Sequence, residues 1–299
     1  MFTNLAPPKS QNHHQQKLVD EFFDTSATFW RDTYKEKGIS GIIYQRRQAT
    51  ALSYIDGLSL PRTAHVLEIG CGAGFMTAAL VRRGFFVEGI DHAQTMVDLT
   101  LENARQRGIV NRIKVCTGDV HELSYEDKTF DLIIALGVIP WLHNSKKALI
   151  EIKRVTKPGG YIVLTMDNAS RVTTLFDPKT FPPFSWIRSF VRRKLEQAKL
   201  LSPYTPWPNA PPYNQHTPQE FKKNLCEAGL TIIKSTSVGF GPFTFFGHRL
   251  FSDMSGIKIH QKLQEYADSG YPFFRSAGSH YIVLATRRLP KTNSLNHKH

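Results

Sequence analysis

Apolar residues recur along the chain in two rhythms. Between Gln15 and Glu36 they fall three and four positions apart, at Leu18, Phe22, Phe23, Phe29, Trp30 and Tyr34, the period of a helix. A second helical stretch runs from about Ile42 to Leu58, ended by Asp56-Gly57 and Pro61. Beyond it, short apolar runs alternate with amphipathic ones. Strands are predicted at His65–Ile69, Phe86–Ile90, Arg112–Thr117, Phe130–Leu136 and Tyr161–Met166. Helices are predicted between them at Phe75–Arg83, Ala93–Arg107 and Ser145–Thr156, and Lys157-Pro-Gly-Gly160 reads as a turn. Such alternation is the signature of a parallel sheet with right-handed crossovers.

The remainder is less regular. A Pro- and aromatic-rich stretch, Phe176 to Tyr213, holds one clear helix near Trp186–Leu200. A helix at Pro218–Ala228 leads through Gly229 to a strand near Thr231–Val238. Residues 239–276 read as an insertion, and a last strand lies within Gly278–Arg287. No internal repeat is visible.

Composition narrows the class. Across 299 residues, 41% are hydrophobic and 21% charged, which excludes a disordered or fibrous chain. The apolar run Leu132–Leu142 is far short of the roughly 20 residues a spanning helix needs. The first residues lack a basic start followed by an apolar stretch, so no secretory signal is read. Cys71, Cys116 and Cys226 form no CxxC pair, and no metal site is assigned. A soluble, cytoplasmic protein with reduced thiols is expected.

Charge changes the picture. Of the net +13, residues 1–59 and 60–167 carry +1 each, and residues 168–299 carry +11. Twelve of the 20 phenylalanines also fall between Phe176 and Phe274. That asymmetry fits either simple solubility or an anionic, membrane-surface partner. The helix at 184–201 sharpens the second choice, with Arg188, Arg192, Arg193, Lys194 and Lys199 beside Phe184 and Trp186. The same helix also reads as a lid over the active site.

The densest chemistry follows the first strand, in Glu68-Ile-Gly70-Cys-Gly72-Ala-Gly74-Phe75. A Gly-rich strand-to-helix turn lets a ligand approach the backbone and meet unpaired N–H groups. Dinucleotide enzymes place a third glycine where Phe75 stands, so that ligand is disfavoured. Asp91, at the end of the next strand, can accept both hydroxyls of a ribose. Asp119, one strand later in Gly118-Asp119-Val120, can accept from an exocyclic adenine amine. The fourth strand ends in Leu136-Gly137-Val138, so four strand ends line one cleft.

Together with Phe130-Asp131 and Lys157-Pro-Gly-Gly160, these residues resemble the class I S-adenosylmethionine-dependent methyltransferases, in the branch that acts on small molecules. The resemblance is strong over about residues 42–167 and weaker to residue 287. It implies an α/β, Rossmann-like, seven-stranded, mostly parallel sheet with helices on both faces, an N-terminal helical lid and a C-terminal-half insertion. The implied division is a disordered tail at 1–14, lid helices at 15–60 and a cofactor-binding core at 61–167. Substrate-side insertions with closing strands then occupy 168–288, and a tail 289–299. The resemblance assigns the loop Gly70, Gly72 and Gly74 to the methionine part of S-adenosylmethionine, with Glu68 and Cys71 beside it. Asp91 takes the ribose, with His92 adjacent, and Asp119 with Val120 the adenine. Met96 packs on the adenine and Leu136 closes over the cofactor.

The acceptor is less defined. A general base is needed only for a hydroxyl, phenol or acidic carbon. His143, His216 and Tyr44 are the candidates, each with capping or packing as the plainer alternative. The basic, aromatic second half suggests a bulky apolar acceptor (a lipid, quinone, polyketide or tetrapyrrole), methylated on oxygen before carbon. Two alternatives are an RNA methyltransferase and a non-catalytic scaffold that kept the cofactor fold. Nucleic acid is disfavoured, because Ala135-Leu-Gly-Val-Ile-Pro140 lacks the Asn/Asp-Pro-Pro-Tyr/Phe motif of base-amine methylation. Ala210-Pro-Pro-Tyr213 has neither its place nor its hydrogen-bonding side chain. Oligomeric state is left open.

Overall fold

Strands apolar on both faces must be sandwiched between layers, and the central strands here meet that condition. The computed structural model of the chain describes residues 9–173, 210–245 and 248–288. Three helices come first, α1 (Lys9–Thr25), α2 (Ala27–Thr33) and α3 (Ile39–Asp56). The alternating unit follows as β1 (His65–Ile69), α4 (Phe75–Val81), β2 (Phe86–Asp91), α5 (Gln94–Gln106) and β3 (Ile113–Thr117). It continues with β4 (Phe130–Ala135), α6 (Ser145–Val155) and β5 (Thr156–Asp167). After residue 209 come α7 (Pro218–Glu227), β6 (Leu230–Val238), the short pair β7 (Thr244–Phe245) and β8 (His248–Arg249), α8 (Asp253–Asp268), α9 (Phe274–Ala277) and β9 (His280–Arg287).

Seven strands form one sheet in the order β3-β2-β1-β4-β5-β9-β6. The first five run parallel, and β9 is antiparallel to both neighbours, β5 and β6. Successive side chains of a strand point to opposite faces, and the two cores divide accordingly. Leu67, Ile133 and Tyr281 pack with Leu149 and Ile152 of α6 and Phe221 of α7. Val66, Leu132, Ile134 and Ile282 pack on the other face with Ala51 of α3 and Leu80 of α4. Fully burying a side chain such as Ile133 or Ile134 stabilises by about 1.5–3 kcal/mol. That makes the sheet the rigid part on which the loops are mounted.

Four readings need adjustment. The tail expected at 1–14 is shorter, because α1 already begins at Lys9. The first predicted helix is two: the Ser26 hydroxyl turns back to the Phe22 carbonyl, and α1 ends before α2 begins. Lys157–Gly160 lies inside β5 as an irregularity, because pairing jumps from Phe130↔Thr156 to Leu132↔Tyr161. Asp131 holds that bulge through Lys157 Nζ at 2.7 Å, at the end of the sheet away from the glycine loop. Within 239–276, α8 packs on α3 through an Arg46–Asp268 ion pair, so the insertion lies beside the N-terminal helices. The basic helix expected at 184–201, with the lid and membrane readings attached to it, lies outside the described residues.

Candidate active site

In an open α/β sheet, ligands bind beyond the carboxyl ends of the strands where the strand order reverses. Here that point falls between β1 and β4. A cavity of about 1330 Å³, counting its mouth to solvent, opens there. Its floor is the glycine loop. A Cβ on Gly70 would meet Val138 Cγ2 at 2.5 Å, so the loop presses on the residues after β4. Gly72, with φ +55°, has nothing within 4 Å of its missing Cβ, so its backbone is bare toward the cleft. Gly74 caps α4 against Thr100 and does not line the cavity.

Asp91 joins this floor to β2. One oxygen accepts from the Gly72 N–H at 2.9 Å, and the other from the Ala93 N–H at 3.1 Å. Burial raises its pKa, and the backbone donors oppose that rise. Glu68 is buried beneath the loop, accepts from the Thr77 hydroxyl at 2.6 Å, and is pushed up to about 8 by burial. Cys71 is buried beside Thr100, and burial pushes its thiol well up. It reads as a small packing residue, since the thiolate is the reactive form.

The far wall comes from β3 and α5. Asp119 accepts from the His121 N–H and pairs with its ring Nδ1 at 2.7 Å, which lowers its pKa to about 2. Its other oxygen has no partner among the described residues, and the side chain is 40% exposed. Met96 and Val120 are buried and line the cavity with Leu136. Helix α1 lies across the mouth. Asp20 pairs with His92 Nδ1 at 2.8 Å, Asp24 holds the Thr95 hydroxyl, and Val19 and Phe23 face inward. The Asp20 hydrogen bond raises the His92 pKa against partial burial.

The inner end is polar and buried. Tyr44 and Arg47 of α3 reach in; Arg47 donates to the Tyr34 hydroxyl at 2.6 Å and lies over the Tyr44 ring. Arg47 is 5% exposed as a residue, its Nε has no partner, and no described carboxylate pairs with it within 4 Å. Opposite stand Asp167, the last residue of β5, and His280, the first of β9, with Oδ1 and Nδ1 3.0 Å apart. No cluster of three metal-ligating side chains occurs among the described residues.

Of the three candidate bases, the structure brings only Tyr44 into the cavity. The His143 ring stacks on His121 at 3.9 Å, and its Nδ1 lies 3.4 Å from Gln16. His216 is bound through its main chain to Asp167 and Ala169, with its ring toward Phe221 and its Nε2 buried without a partner. Neither histidine lines the cavity. Sequence reasoning missed Tyr34, Arg47, Asp167 and His280. The one available signal was that Asp167 ends β5 as Asp91 ends β2, and the reading stopped at the fourth strand end.

Residues 67–164 match the family model described as a methyltransferase domain. An O-methyltransferase of ubiquinone biosynthesis from Coxiella burnetii is 25% identical over 161 residues, 54% of this chain and 65% of that protein. A sterol 4-C-methyltransferase from Caenorhabditis elegans is 32% identical over 147 residues, 49% of this chain and 43% of that protein. The chain thus spans about two fifths to just under two thirds of these relatives. Magnesium protoporphyrin IX methyltransferase from Synechocystis PCC 6803, solved with bound SAH, superposes with a TM-score of 0.57 at 16% identity, covering 91% of this chain and 99% of that one. The [4+2]-cyclase SpnF gives 0.60 at 17%, covering 92% and 97%. At such identities the likeness is one of fold, and a cyclase among the neighbours shows that fold alone does not dictate reaction.

Fold and cavity together define a Rossmann-like domain with a crevice at its switch point. Residues 67–164 thus match a methyltransferase domain, set in a fold shared with solved methyltransferases.

Proposed function

We propose that the protein transfers a methyl group from S-adenosylmethionine to an oxygen of a small, bulky, lipophilic acceptor. The observation that carries this reading is the joint of Asp91 with Gly72. It leaves a carboxylate and a bare backbone side by side on the cavity floor. Backbone N–H groups of Gly72, Ala93 and His92 bear on the carboxylate, whose two oxygens offer about four acceptor sites, so capacity is left for ribose hydroxyls. The free oxygen of Asp119 suits an adenine amine, between Met96 and Val120. Arg47, buried without a carboxylate partner, would hold the methionine carboxylate; a buried cation of that kind calls for an anion. Bound there, S-adenosylmethionine supplies an electrophilic methyl on a good leaving group. The chain's own task is then alignment, which can contribute about 7–11 kcal/mol at best.

The acceptor reading rests on the apolar walls Phe23, Trp30, Trp141 and Leu142. It is supported by relatives named for ubiquinone, sterol and magnesium protoporphyrin substrates. The basic C-terminal part, +11 over residues 168–299, supports reversible contact with an anionic membrane that would hold such substrates. Titration calorimetry with S-adenosylhomocysteine tests the cofactor half. The wild type should bind, and Asp91→Ala should weaken binding at least tenfold with the fold intact. A wild type with no affinity for S-adenosylmethionine or its demethylated product overturns the reading. Incubation with methyl-labelled cofactor and a lipid extract tests the acceptor half; label confined to RNA or protein fractions, or absent from all, counts against it.

A further inference from the structure

We propose that His280, positioned by Asp167, is the general base of the reaction, and that the acceptor group is therefore an acidic hydroxyl such as a phenol. The inference rests on the methyltransferase reading and adds the nature of the accepting atom. Asp167 and His280 are direct cross-strand partners in the β5–β9 ladder. That register puts their side chains on one face of the sheet. The ladder therefore delivers an Asp–His pair at the carboxyl end of β5, where both line the cavity. Their side chains are each 8% exposed, so the pair is shielded while remaining part of the cavity wall.

The chemistry follows from which nitrogen is occupied. A carboxylate at Nδ1 fixes the proton there and leaves the Nε2 lone pair available. His280 Nε2 makes no hydrogen bond to any described residue. Every charged neighbour bears on its protonation. Burial lowers the imidazole pKa, Asp167 opposes this, and Arg47 of α3 and Arg171 beyond β5 reinforce it. Tyr44, its ring 5.6 Å from the imidazole, completes the titratable groups packed against it. The result is a neutral imidazole at pH 7, the form a base requires.

In the step, the acceptor O–H bond breaks and its proton passes to His280 Nε2. The oxygen pair forms the O–CH₃ bond while the carbon–sulfur bond breaks, its pair remaining on sulfur. The imidazolium returns its proton to water. A carboxylate acceptor would need no base, which is why the pair points to a hydroxyl.

A buried Asp–His pair could also serve only to join β5 to β9, and the experiment separates the two roles. Nitrogen-15 NMR of the full chain with S-adenosylhomocysteine, with His280 assigned through His280→Gln, reads the tautomer without turnover. Nδ1–H with a bare Nε2 at pH 7 is expected, and an Nε2–H tautomer or an imidazolium overturns the proposal. Methyl transfer is then measured to two probes with the same long alkyl tail, a catechol and a fatty acid. The catechol should accept label. His280→Gln should lower its kcat about 10²–10⁴-fold and remove the acidic limb of the pH profile, with S-adenosylhomocysteine affinity unchanged. Asp167→Asn should shift that limb. A kcat within threefold of wild type in His280→Gln, or label on the fatty acid alone or on neither probe, overturns the proposal. A wild type that binds no S-adenosylhomocysteine removes the underlying reading instead, which separates the two failures.

Discussion

Glu68 shows how a single buried group couples the site to stability. Its carboxyl lies under the glycine loop with the Thr77 hydroxyl as its one described hydrogen-bond partner, and burial lifts its pKa to about 8. In the unfolded chain the same group ionises near 4.5. The folded protein therefore holds a proton that the unfolded chain releases between those values. The stability this contributes is complete below about pH 4.5 and is lost as pH rises through 8. At 1.36 kcal/mol per unit, the change across the window is at most about 5 kcal/mol. Urea unfolding at pH 5 and pH 8 should show the wild type much weaker at the higher value. Glu68→Gln, which cannot ionise, should narrow that difference by several kcal/mol. Identical pH dependence in both proteins would count against a protonated Glu68.

At the scale of elements, α1 is tied to the core by titratable pairs as well as by apolar packing. Polar ties run from Gln16 to His143, Asp20 to His92 and Asp24 to Thr95, all partly exposed. Exposed pairs of this kind contribute only about 0–1 kcal/mol each, so the buried packing of Val19 and Phe22 with Trp141 carries most of the attachment and the pairs modulate it. The His92 pKa is raised by Asp20, so the attachment is fullest below about 6.5 and weakens as pH rises through the raised value. Hydrogen exchange in α1, corrected for intrinsic rate, should be faster at pH 8.5 than at pH 6. His92→Ala should erase that difference, and pH-independent protection in the wild type would refute the coupling.

Elements were also where the sequence was most legible. Runs such as Leu132–Ala135, apolar on both faces, have few alternatives to a central strand, and β1 was read at its observed limits. The loop and the acidic strand ends were legible because Gly70, Gly72, Asp91 and Asp119 carry their chemistry locally. Asp167 and His280 were not. Each is unremarkable in its own segment, and they meet only because β9 folds back against β5. Arg47 was hidden for a different reason: it lies in the buried stripe of α3 with Ile43, Ala51 and Ile55, where helical spacing marks a core position and not a cation. His143 and His216 attracted attention through position in the chain, and tertiary packing turns both away from the cavity wall.

Across the whole molecule, charge and apolar exposure point the same way. Leu250, Phe251 and Met254 are exposed in the segment opening α8, beside Arg249, within the part of the chain that carries +11. Each Lys or Arg near an anionic leaflet contributes about 1 kcal/mol, screened beyond a Debye length. The protein should sediment with phosphatidylserine-containing vesicles at low salt and be released at high salt. Reversing Arg192 and Arg193 to Glu should weaken attachment and leave cofactor binding unchanged. Equal recovery in the supernatant with and without anionic lipid would refute membrane contact.

The position of β9 has a consequence for how the molecule is made. The last of the described strands sits between two made earlier, so β5 and β6 cannot be joined when they leave the ribosome. From the end of β6 at residue 238 to the end of β9 at residue 287, 49 more residues must be translated. At 5–20 residues per second that is roughly 2–10 s. For that interval the nascent chain presents two open strand edges facing a vacant slot, a template for pairing with any extended segment nearby. The Asp167–His280 pair proposed as the base is assembled by the same event that closes the slot, so on that proposal an unfinished sheet lacks its proton acceptor.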